Sequence, residues 1–258
     1  MMVNYMPKRK SKVLWFVLIL LVVAIFVSSL YKIVSSLYDY SEGSKTYENL
    51  TADIITPNIP DLPEDIVTTE SAPITVDFDS LIEQNGDVVG WLFCENTPIN
   101  YPVLQSTDNN YYLRKMINKK YNIAGSIFMD YRSQSDMSSL NTIVYGHNMK
   151  NDTMFGTFTE YKKQSYYDEH PVLWFLTPEH NYKIELIAGY VTSSTSDVYK
   201  VFHIKDDLDN HIKASIKKST FVSGVNIAEV DNIITLSTCS YEYSTARYVL
   251  IGNVKEIN

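Results

Sequence analysis

Cys239 closes the run Ile233-Ile234-Thr235-Leu236-Ser237-Thr238-Cys239, and Arg247 stands eight residues later at the head of Tyr248-Val249-Leu250-Ile251. The β-branched and aliphatic runs favour strands, and the polar, Tyr- and Ser-rich segment between them reads as a connecting loop. A thiol at the end of one strand and a guanidinium at the start of the next then face one cleft. A thiolate attacks carbonyl carbon, and a fixed cation favours both the thiolate and negative charge growing on the carbonyl oxygen. Acyl transfer through sulfur also needs a proton carrier.

Five histidines are available. His170 precedes Pro171 in a polar turn, His180 lies in the turn Pro178-Glu179-His180-Asn181, and His211 falls on a charged helical segment, so each reads as surface. His203, after Val201-Phe202, stays open. His147 leaves the strand candidate Asn141-Thr142-Ile143-Val144-Tyr145 through Gly146 and enters the polar loop Asn148-Met149-Lys150-Asn151. Strand-end loops are where rigid scaffolds present reactive groups. Strand alternation places Ser237 on the face of Cys239, where it either touches a ligand or bonds a neighbouring backbone. Asn148 reads equally as a group orienting the imidazole or a ligand and as a turn residue.

The elements that must hold these groups are mostly strands. Candidates are 88–93, 99–104, 126–129, 142–145, 172–176, 182–191, 233–236 and 248–254, and eight short strands separated by turns predict a closed or nearly closed barrel. A short capped helix is expected over 77–85. A longer amphipathic one is expected over 206–221, with Leu208, Ile212 and Ile216 as its apolar stripe.

The residues also resemble a family. Tyr145-Gly146-His147-Asn148-Met149, the run Thr235 to Cys239 and the downstream Arg247 look like class B sortases. So do Asp87-Val88-Val89-Gly90-Trp91-Leu92, Tyr101-Pro102-Val103-Leu104-Gln105, Asp108-Asn109-Asn110-Tyr111-Tyr112-Leu113 and Gly125-Ser126-Ile127-Phe128-Met129-Asp130. The resemblance covers about residues 74–258, and the ordered set of motifs is far more specific than any one alone. It implies a mainly β fold, an eight-stranded sortase barrel with an N-terminal helix and a long helix before the cysteine strand. It implies Cys239 as nucleophile, His147 as general acid and base, and Arg247 as the clamp on the substrate carbonyl or its oxyanion. Ser237, Thr238 and Asn148 are expected to contact substrate. The implied substrates are secreted proteins bearing a sorting motif, NP-x-T-N-like or x-P-x-T-G-like, and the implied acceptor is a peptidoglycan amine. The loop from Cys239 to Arg247 is shorter than in some members, which leaves the shape of the groove beside Arg247 open. A cell-wall cysteine hydrolase or L,D-transpeptidase-like enzyme is the competing enzymatic reading, although no Ser-His-Gly-Cys run is present. A silent surface binding module would have kept the barrel without the chemistry.

The N-terminal region carries the remaining information. Val13 to Leu30 is eighteen residues without a charge, and Lys8, Arg9, Lys10 and Lys12 precede it. A bilayer core takes about 20 apolar residues, and the basic cluster predicts a cytoplasmic N-terminus with the rest of the chain outside. The run exceeds the about 7–15 residues of a signal-peptide core, and no clear cleavage site follows. The expected organisation is a basic tail (1–12), a transmembrane signal anchor (13–37), an acidic spacer (38–73) and a catalytic domain (74–258). Residues 39–73 hold four of nine prolines, eight acids and one base, Lys45, a composition that predicts an extended, self-repelling spacer, with a short helix continuing beyond the span over Tyr38 to Leu50 as the alternative for its first part. With the four N-terminal bases set aside, 18 remain against 30 acids. That balance excludes a nucleic-acid partner. Two cysteines cannot build a disulfide scaffold, and Cys94 reads as a small buried hydrophobe. No histidine or acid spacing suggests a metal, and no cofactor is expected.

Overall fold

A 45-residue helix, α1 (Lys10–Ile54), opens the computed structural model, which describes residues 10–58 and 71–257. The basic residues through Arg9 and the middle of the acidic spacer, 59–70, lie outside the described residues. Two compact units divide at Glu42 and Gly43. In the first, side chains from Val13 to Val34 are exposed, and this stretch of α1 is long and apolar enough to cross a membrane.

In the second unit the helix continues through the stretch to Leu50, where a short helix is the alternative reading, and on to Ile54, where an extended spacer is expected. Tyr47, Leu50 and Ile54 are buried, and the Tyr47 hydroxyl donates to the Gly125 carbonyl at 2.8 Å. These three recur at helical spacing on one face, so burial of that stripe outweighs the acidic composition around it. Two short strands, β1 (Ile55–Pro57) and β2 (Ile74–Val76), then pair antiparallel and close the spacer's ends together. Helix α2 (Phe78–Gln84) follows, and Asp77 accepts from the Ser80 amide at 3.1 Å as its N-cap.

Eight strands form a closed barrel: β3 (Val88–Phe93), β4 (Asn100–Gln105), β5 (Ile127–Met129), β6 (Asn141–Tyr145), β7 (Val172–Leu176), β8 (Asn181–Ser193), β9 (Ile233–Cys239) and β10 (Ala246–Ile257). Every strand read from the sequence is present, with ends moved by no more than three residues. Around the barrel the order is β10-β8-β7-β3-β4-β5-β6-β9. Closure leaves no free sheet edge. Only β4–β5 and β6–β9 pair in parallel. The core on the two faces of the barrel wall holds fully buried side chains such as Trp91, Leu92, Phe175, Leu236 and Leu250. Each contributes roughly 1.5–3 kcal/mol relative to exposure.

Besides the short α3 (Gln164–Glu169), one longer helix, α4 (Lys205–Ile216), lies in the connection from β8 to β9. It stops five residues short of the expected end because Thr220 and Phe221 are held elsewhere. The Thr220 amide donates to the Gly189 carbonyl at 2.7 Å, and the Phe221 ring stacks on Tyr167 at 4.3 Å. The buried stripe is also shifted: Leu208, Ile212 and Ser215 face the barrel, whereas Ile216 is 39 % exposed. Ser215 earns its place through a 3.2 Å hydrogen bond with the Tyr190 hydroxyl.

Candidate active site

The barrel's pairing registers bring three distant residues into one row. Tyr145 of β6 is the parallel partner of Ser237 of β9, so two residues further His147 and Cys239 leave the same end of the sheet side by side. On the other flank, Arg247 of β10 is the antiparallel partner of Cys239 itself. Adjacent strands lie roughly 4.8 Å apart, which sets the spacing of the row. His147, Cys239 and Arg247 all line one groove of about 520 Å³, together with Leu113, Tyr145, Ser237 and Tyr199.

Local sequence explains why the histidine loop fits. Gly146 lies so close to Ile127 and Phe155 that a Cβ there would meet their side chains at 2.5 and 2.6 Å. Its amide donates to the Ser237 carbonyl at 3.1 Å and its carbonyl accepts from Thr238 Oγ1 at 2.9 Å. The loop beyond is closed by the Phe155 amide on the His147 carbonyl at 2.9 Å.

The His147 ring is fixed through Nε2, which lies 2.7 Å from the Leu113 carbonyl. A carbonyl can only accept, so in the neutral ring Nε2 carries the hydrogen and Nδ1 keeps the free lone pair. Burial pushes the imidazole below its ordinary range, and the positive charges of Arg114 and Arg247 act in the same direction. The Leu113 contact opposes them. Half-buried Arg247 donates from Nη1 to the Ala246 carbonyl at 2.9 Å, and among the described residues no carboxylate pairs with it. Its charge is therefore left for whatever occupies the groove.

The three further residues expected at the site differ in how they are used. Ser237 lines the groove, and its hydroxyl shares a 2.8 Å hydrogen bond with Tyr199. Thr238 also borders it, but its hydroxyl is spent on Gly146. Asn148 turns its amide to the Cys239 carbonyl, Nδ2 donating at 2.8 Å, and so ties the histidine loop to the cysteine strand. Of the other histidines, none lines this groove. His170 and His211 are half-buried instead of superficial, beside Tyr166 and Phe202 respectively, and burial lowers the His211 pKa. His203 is exposed. Cys94 is buried, and burial pushes its thiol up to about 11. Among the described residues no three His, Cys, Asp or Glu gather as a metal site.

The sequence reading missed a further part of the groove's lining. Asn109, Arg132, Tyr145 and Tyr199 form it, and a fully buried carboxylate, Asp130, stands behind them. The one available signal was Asp130 at the end of an apolar run, since such an acid in a strand needs buried partners.

What this arrangement can do is hold an acyl group between a thiol, an imidazole and a cation in one groove. Comparison with known proteins agrees. The Sortase domain family matches residues 92–255. Sortase B of Staphylococcus aureus is 31% identical over 253 residues, covering 97% of this chain and 100% of that protein. Sortase B of Listeria monocytogenes is 34% identical over 243 residues, 92% of this chain and 95% of that one. Among solved structures, the Staphylococcus aureus sortase B–substrate complex superposes with a TM-score of 0.66 at 33% identity, covering 70% of this chain and 85% of that one. Sortase B from B. anthracis in complex with AAEK1 gives 0.70 at 28% identity, covering 84% and 98%. With this barrel, this row and these relatives, the chain belongs to the sortase family of cysteine transpeptidases, in its class B branch.

Proposed function

We propose that the protein is a membrane-anchored transpeptidase that joins the sorting peptide of secreted proteins to a peptidoglycan amine through a thioacyl intermediate on Cys239. The observation that carries this is the three-strand row of His147, Cys239 and Arg247 at the mouth of one groove. In the first half-reaction the Cys239 thiol passes its proton to Nδ1 of His147 and its sulfur bonds to the peptide carbonyl carbon. The carbonyl oxygen takes the negative charge beside Arg247. When the C–N bond breaks, His147 returns the proton to the departing amine and a thioester remains. In the second half-reaction an acceptor amine attacks that thioester, His147 takes the amine's proton, and the Cys239 thiolate leaves and is reprotonated.

The apolar stretch of α1 supports a single-pass anchor, and the basic residues before it support a cytoplasmic N-terminus with the barrel outside. The catalytic unit then comprises residues 74–258 together with the end of α1 from Gly43. The sorting peptide is NP-x-T-N-like or x-P-x-T-G-like. Mass spectrometry of the protein incubated with each peptide tests the reading: a covalent adduct on Cys239, resolved to a new amide on adding an oligoglycine-type amine, is expected. Peptide turnover without adduct or amide product would point to a hydrolase and overturn it.

A further inference from the structure

One wall of the groove is organised by one buried charge. Asp130 has no exposed surface, and its two oxygens accept five hydrogen bonds: the amide and Nε of Arg132 at 2.9 and 2.8 Å, Arg132 Nη2 at 2.7 Å, Asn109 Nδ2 at 2.9 Å and the Tyr145 hydroxyl at 2.8 Å. A carboxylate offers about four lone-pair sites, so nothing is left for a ligand. Burial alone would raise the Asp130 carboxyl, but Arg132, Tyr145 and Asn109 outweigh it and hold it below the usual carboxylate range.

Arg132 is not similarly saturated. Its Nη2 also reaches the Tyr199 carbonyl at 3.3 Å, whereas among the described residues Nη1 meets no acceptor, and the side chain is 40 % exposed along the groove. The bidentate pair fixes the plane of the guanidinium, so Nη1 is a donor held in one direction. The pair sums to zero charge. A ligand carboxylate gains little net attraction there, whereas a neutral carbonyl oxygen gains a preorganised hydrogen bond without losing much hydration. The wall is coupled to the cysteine strand, because the Tyr145 and Tyr199 rings stack at 6.0 Å and Tyr199 bonds Ser237, two residues before Cys239.

We propose that Asp130 is a positioning residue that aims Arg132 into the groove, where Arg132 reads an uncharged side-chain amide oxygen of the peptide. This rests on the transpeptidase reading above. Asp130 touches no substrate; it acts by holding Arg132, Tyr145 and Asn109 in one geometry.

The test is steady-state kinetics of Arg132→Gln and Asp130→Asn, set beside the rate at which a small methanethiosulfonate modifies Cys239. Arg132→Gln alters a partly exposed side chain and serves if Asp130→Asn does not fold. Arg132→Gln should raise KM by about tenfold or more, the range of one hydrogen bond from a charged donor. Its kcat and the thiol modification rate should stay near those of the unsubstituted protein. In a series of peptides whose side-chain amides are replaced one at a time by aliphatic groups of similar size, one replacement should match the KM loss in the unsubstituted protein and add nothing in the variant. A carboxylate at that position should bind less well than the amide. Unchanged KM in Arg132→Gln, or a variant that discriminates among the peptides as before, overturns the proposal while leaving the transpeptidase reading intact. No adduct in the unsubstituted protein with any peptide overturns both.

Discussion

Two sets of groove residues are held by different means. Cys239 and Arg247 are positioned by main-chain ladders as direct strand partners, and His147 follows two residues after the last β6–β9 pair. A second set, Asn109, Arg132 and Tyr145, is positioned by side-chain hydrogen bonds that converge on the Asp130 carboxylate. A ladder tolerates side-chain change because its hydrogen bonds belong to every residue. A buried charge does not, because removing one partner leaves the others unpaired. Reactivity thus sits on the robust side and, by our proposal, recognition on the sensitive one.

Substitutions on the ladder side should abolish chemistry while sparing the fold. Cys239→Ala should give no thioacyl adduct by mass spectrometry, and His147→Gln should lower kcat/KM by about 10²–10⁴-fold, the usual contribution of a positioned acid-base group. Near-normal thermal melts in both would confirm that the ladders carry the structure; a collapsed fold would erase the contrast. Gly146→Ala tests the ladder's steric limit. The added Cβ meets Ile127 and Phe155, and a loss of about 1–3 kcal/mol in denaturant unfolding is expected, as for overpacked cores. A tolerated alanine would mean that the histidine loop is not held by close approach.

Asn148→Ala should cost less, about 1 kcal/mol for one hydrogen bond, together with a fall in kcat at unchanged KM. A raised KM instead would make Asn148 a substrate contact. The smallest expected effect is on pH dependence. Because burial lowers the His147 pKa below its unfolded value, the folded state disfavours the protonated ring. That contribution to stability is complete above the unfolded pKa, about 6.5, and is lost as pH falls from there toward the lower folded value. Melting temperatures between pH 8 and 5 should therefore fall more steeply for the unsubstituted protein than for His147→Gln. Identical slopes would remove His147 from the buried groups.

The same contrast explains what the sequence made legible. Strand periodicity reports ladders, so all eight barrel strands and the residues at their ends could be read, and a family resemblance assigned their roles. Arg132 looked unremarkable because its meaning depends on a bidentate partner two residues away that folds inward behind it. Tyr199 gave no signal because it sits on a short helical turn between β8 and α4, and only the fold carries it to Ser237. The helix over 43–54 was only partly legible, as a short continuation to Leu50, because acidic composition surrounds a buried face that holds only Tyr47, Leu50 and Ile54. The end of α4 was set by Thr220 and Phe221, whose anchors lie on distant elements.

The parallel pairing of β6 with β9 has a consequence for the order of folding. Its partners are separated by about ninety residues, as the Thr238–Gly146 hydrogen bond shows. Closing such a loop carries an entropic cost before any contact offsets it, and pairings of this range form late. During synthesis the thiol therefore emerges before β10, into a barrel that is still open, with no imidazole beside it. Cys239 acquires its partners only when β9 inserts between β6 and β10 and closes the barrel. On the proposed mechanism, completion of the fold and assembly of the catalytic row are thus a single event, and a chain halted before that step has the cysteine without its partners.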